Sequence, residues 1–88
     1  MSKALAKDRY RIGELLVIDR DPSVKHTTAI VLGTYEVNMN GDPMIMMGND
    51  PSTVSDDGNR GYVMMDNSTG IFYYLPFVDQ YLGWVHRA

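Results

Sequence analysis

Imidazoles, thiols and carboxylates are the side chains that most readily hold metals, move protons or attack carbonyls. This chain offers few of them in a working arrangement. His26 and His86 stand sixty residues apart, without the HExxH spacing that sets two imidazoles on one helical face. There is no cysteine, so neither a thiolate nucleophile nor a thiolate metal site exists. Asp56-Asp57-Gly58-Asn59 has the composition of a cation loop but lacks the alternating carboxylates and later glutamate of an EF-hand. Gly58-Asn59-Arg60-Gly61 is too short to cradle a phosphate and precedes no helical pattern. No serine or threonine has an identifiable base. The expectation is a protein that is not an enzyme, with no catalytic residue, no metal and no cofactor.

Charge gives a second candidate chemistry. Residues 1–11 carry four cations, Lys3, Lys7, Arg9 and Arg11, against one acid, whereas the rest carries four cations against ten acids. A basic arm could contact phosphates, with Tyr10, Tyr73 or Trp84 stacking on bases. The overall charge of −3 and pI of 5.1 work against a polyanionic partner. Nucleic-acid binding by Lys3, Lys7, Arg9 and Arg11 is therefore the alternative, not the preferred reading.

The elements that would position these groups are strands. Met44–Met47, Tyr62–Met65 and Ile71–Leu75 are apolar at every position. Successive strand residues point to opposite faces, so an unbroken apolar run hides one face and leaves the other apolar as well. An 88-residue chain with little helical pattern has no second helical layer to cover that surplus. Gly13–Ile18 reads as a first strand, and Thr27–Val37 as a long one in which Gly33 marks a bulge or bend. Asn40-Gly41 suits a type I′ turn joining Thr34–Met39 to Asp42–Met47. Residues 48–61 form a polar loop. Tyr62–Asp66 and Ile71–Leu75 make a second hairpin, Pro76 opens a short helical turn to Leu82, and Trp84–His86 is a last extended piece.

The fold expected is mostly β: a small curled antiparallel sheet, or an SH3-like or OB-like barrel, of five or six strands. It has one short late helical turn and a possible short helix over residues 2–9. The order of hairpin, Leu75-Pro76, a turn containing Tyr81 and a final strand resembles the end of an SH3-type barrel. Residues 1–11 are expected to be a basic arm and residues 12–88 one small β domain. The N-terminal residues lack the apolar core of a signal peptide, and no apolar stretch approaches the ~20 residues of a membrane span. A cytoplasmic protein without a membrane partner is expected.

A two-residue turn at Asn40-Gly41 would set Val37 opposite Met44 and Glu36 opposite Ile45. The polar Thr34, Glu36 and Asp66 then mark the outer faces. On that basis Ile45, Met47, Tyr62, Met64 and Tyr73 form an exposed partner-binding patch. Val63, Met65, Phe72 and Tyr74 join Leu15, Val17, Val31, Tyr35, Val37, Met44 and Met46 inside. Methionine and tyrosine suit such a patch, the one adaptable, the other a rigid plate with a polar tip. The function expected is a non-enzymatic protein-binding module, in its narrower form a small viral, anti-defence type of inhibitor occluding a larger host enzyme. Its partner would be another protein or its own symmetry mate, as in a structural subunit of an oligomeric assembly.

Overall fold

The computed structural model describes residues 8–19 and 27–88. Its strands are β1 (Leu15–Ile18), β2 (Thr27–Val37), β3 (Pro43–Met47), β4 (Arg60–Asp66), β5 (Phe72–Pro76) and β6 (Val85–Arg87). Two 3-10 turns, Pro51–Thr53 and Phe77–Tyr81, are the only helical pieces among the described residues. The strands form one antiparallel sheet in the order β5-β4-β2-β1-β6, with β3 also paired to β2. The sheet does not close, because β5 and β6 are the two ends of that path. The helix expected over residues 2–9 falls outside the described residues except for Asp8 and Arg9, which are not helical.

β2 organises the sheet. One of its edges pairs with β4 along most of its length. Its other edge is shared, with β1 on Thr27–Ile30 and β3 on Gly33–Val37. The register with β4 shifts between Val31 and Gly33, a bulge that bends the strand where the second partner takes over. Glycine is required there, since a Cβ on Gly33 would lie 2.3 Å from the Met46 carbonyl oxygen and 2.9 Å from the Met47 Cα.

The two hairpins differ from expectation in instructive ways. Around Asn40-Gly41 the loop holds three residues, not two. Asn38 Oδ1 accepts from the N–H groups of Asn40 (2.9 Å) and Asp42 (3.0 Å), and only Gly41 takes a positive φ, +83°. That is a type I turn with a glycine bulge, and the extra residue moves the register by one: Tyr35 faces Ile45 and Glu36 faces Met44. The second hairpin pairs as expected, Met65 with Phe72 through Tyr62 with Leu75. Its faces are nevertheless exchanged, because Asp66 points inward.

The core lies on one face of the sheet: Leu16, Ala29, Val31, Tyr62, Met64 and Leu75, with Val85 from β6. Three segments roof it. Tyr10 packs against Tyr62 at 5.5 Å between ring centroids, and Phe77 meets the same ring edge-on at 4.9 Å. Arg9, only 4 % exposed, lays its guanidinium 3.6 Å from the Phe77 ring centre and donates to the carbonyls of Pro51 (3.0 Å) and Val54 (2.7 Å). The Tyr62 hydroxyl accepts from the Tyr10 N–H at 3.1 Å and donates to Gln80 Oε1. Desolvation pushes its pKa well above the ordinary tyrosine value, so the phenol stays neutral.

Candidate functional site

The pairing registers divide the strand side chains into two faces. Directly opposed residues share a face, so Leu15, Ile30, Met65 and Phe72 form a row across β1, β2, β4 and β5. A second row runs from Met47 past Gly33 to Val63 and Tyr74, and a third joins Ile45 to Tyr35 and Gly61. Val17 extends this face toward β6, where it opposes His86. All of these lie opposite to the roofed core. Leu15, Ile45, Met47, Phe72 and Tyr74 are 37–54 % exposed, and Val17, Ile30 and Met65 are half-buried.

The centre of this face is firm. Tyr35 and Tyr74 meet edge-on at 5.4 Å. Tyr35 also lies over Gly61, where an added Cβ would come within 2.5 Å of Cε1. Val63, opposite Tyr74, is buried. Burial, then the charges of Asp79 and Asp56, raise the Tyr35 pKa, so its phenol stays neutral.

Charge is partitioned cleanly between the faces. The strands contain four charged residues, Glu36, Arg60, Asp66 and Arg87. Glu36 opposes Arg60, Asp66 opposes Ala29 and Arg87 opposes Leu16, so all four stand on the roofed face. There they are partnered: Arg60 Nε to Glu36 at 2.6 Å, Arg87 Nε to Glu14 at 2.6 Å. Asp66 accepts from the N–H groups of Ser68 (2.7 Å) and Thr69 (3.0 Å). Among the described residues the uncovered face carries no charged strand residue, and its only titratable strand groups are the two tyrosines and His86.

The expected patch is therefore divided. Ile45 and Met47 are on the uncovered face. Tyr62 and Met64, at 0 and 2 % exposure, are core residues and present nothing to a partner. Tyr73 is exposed but on the other face, its hydroxyl 3.5 Å from Asp66 Oδ2. Of the residues expected inside, Val63, Val31 and Tyr35 are buried, and Val17, Val37 and Met65 partly so. Leu15, Phe72, Tyr74, Met44 and Met46 are exposed. Reasoning from sequence thus missed Phe72, Tyr74 and Leu15 as surface residues of this face. The signal that would have found them is turn chemistry: Asp66 is followed by Ser68 and Thr69, which give it amides to cap.

The remaining candidates are accounted for. In the arm, Lys3 and Lys7 lie outside the described residues, Arg9 is turned into the roof, and Arg11 is exposed. His26 lies outside the described residues, and no group of three histidine or acidic residues among the described ones could hold a metal ion. Asp56 and Asp57 use their carboxylates on the N–H groups of Gly58 and Asn59. Among the described residues no helix is long and apolar enough to cross a membrane. No protein-family model matches the chain, and no curated protein or solved structure matches it either.

Proposed function

We propose that this protein is a non-enzymatic protein-binding module whose contact surface is the uncovered sheet face presenting Phe72, Tyr74, Ile45 and Met47. One observation carries the reading: every charged strand residue stands on the roofed face, while the face open to water has none. Water would favour the opposite partition, and an exposed contiguous apolar surface in a folded domain marks an interaction site. A face whose titratable strand groups are two tyrosines and one histidine, in no cluster that could hold a metal among the described residues, acts by covering what it binds, which is how an occluding inhibitor would work.

A photo-crosslinking side chain at Phe72 or Tyr74 tests this. It should form adducts with protein in the native cellular context, whereas the same group at Leu82, exposed at the end of the 3-10 turn that roofs the core, should not. Equal labelling at the three positions, or none at Phe72 and Tyr74, would refute the reading.

A further inference from the structure

We infer that the occupant of the uncovered face is a second copy of this chain, stacked sheet to sheet about a two-fold axis. The inference rests on the binding-face reading above and narrows it to one partner.

Area is the first argument. Leu15, Ile45, Met47, Phe72 and Tyr74 are each between a third and a little over a half exposed. At ~200 Å² for a fully exposed large side chain they leave on the order of 450 Å² per copy. Two-fold stacking removes that area from both copies, and Val17, Ile30 and Met65 add to it. The total reaches the ~1,000 Å² that a specific interface needs.

Chemistry is the second. A two-fold interface sets one face against its own copy, residue i meeting j and j meeting i, so a face of one charge sign meets the same sign whereas a neutral face stacks without repulsion. This face has no charged strand residue to set against its image. It also supplies what its image needs: exposed aromatic rings at Phe72 and Tyr74, and adaptable side chains at Met47 and Met65. Sheets stacked in this way lie about 10 Å apart with strands near −30°, an arrangement that needs no rearrangement of the described fold.

Each copy carries a net charge of −3 and its charged strand residues stand on the roofed face, so adding salt screens repulsion between the two bodies and leaves the apolar contact intact. Self-association should therefore hold or tighten between 50 and 500 mM salt.

The test is sedimentation equilibrium of the full chain from micromolar to millimolar concentration, with Phe72→Glu, Tyr74→Glu and the double variant, each checked by circular dichroism and thermal melting. The wild type should dimerise and the double variant should associate at least a hundredfold more weakly. Should the double variant fail to fold, the absence of native cysteine supplies a second measurement. A lone cysteine at Tyr74 should be shielded from maleimide as protein concentration rises, while one at Leu82 should react at a constant rate.

A dimer unaffected by these substitutions, or a Tyr74 cysteine equally reactive at all concentrations, would overturn the inference. So would a wild type that stays monomeric. In that last case crosslinks from Phe72 to a different protein would leave the binding-face reading standing, and their absence would remove both.

Discussion

Arg9 should prove to be a structural clamp, and its removal should be among the costlier single changes in the protein. Its guanidinium joins three segments, donating to the carbonyls of Pro51 and Val54 and lying on the ring of Phe77. Hydrogen bonds from a charged donor contribute roughly 1.5–3 kcal/mol each, and a desolvated cation–π contact adds about 2 kcal/mol. Against this stands the cost of burying a guanidinium that has no carboxylate partner among the described residues. In Arg9→Ala the Pro51 carbonyl still accepts from the Val54 N–H at 3.2 Å, so only the Val54 carbonyl loses its partner. The net expectation is a loss of about 2–4 kcal/mol, in the range of buried-network mutations. For a domain of this size that lowers Tm by roughly 10–25 °C. Arg9→Lys keeps the charge but can neither span both carbonyls nor lie flat on a ring, so it should recover less than half of the loss. Urea and thermal melts of the three proteins measure this. A loss below 1 kcal/mol in Arg9→Ala, or full recovery by lysine, would show that Arg9 is not a clamp and would return it to the pool of cations available to a phosphate.

Two further outcomes follow from particular contacts. Gly33→Ala should detach β3, because the new methyl collides with backbone at Met46 and Met47 and not with a movable side chain. Amide exchange should then rise in Met44–Met47 well before it rises in β4. The Asp66 pKa is held below its ordinary 3.8 by the N–H of Ser68, then that of Thr69. A folded-state value below the unfolded one means stability that is present above about pH 4 and lost as pH falls through it. The urea midpoint should therefore be flat from pH 7 to 5 and drop below 4, and in Asp66→Asn the drop should be shallower; an unchanged acid limb would refute the assignment.

The strands were legible in the sequence because unbroken apolar runs and glycine-marked turns depend on neighbours in the chain. The bulge at Gly33 and the pairing of Tyr62–Met65 with Phe72–Leu75 could be read in that way. That one apolar face would lack a covering layer could also be read. Which face it would be could not. The decision fell to three polar residues whose satisfaction is not visible in a pattern. Thr34 is buried because Asn49 Nδ2 reaches its hydroxyl at 2.8 Å. Asp66 is buried because its own turn supplies amides. Asn38 adds a residue to a loop that Asn40-Gly41 alone would have closed in two. Each polar residue marks solvent until a partner removes it, and a period of two turns one such misreading into a whole exchanged face.

The shared edge of β2 has a topological result. An open sheet ordinarily has two free borders, but branching at the Val31–Gly33 bulge gives this one a third, the outer margin of β3, beside those of β5 and β6. Among the described residues no strand pairs with that margin, and Met44–Met47 carries no lysine or glutamate to discourage a passing strand. Pro43 at its start, Pro76 at the end of β5 and the shortness of all three strands are what blunt these borders. Stacking on a face closes after two copies, whereas joining at a border presents a new border each time. The same branch that gives β3 its place therefore puts an open-ended, fibre-forming mode of growth one short strand away from the closed one.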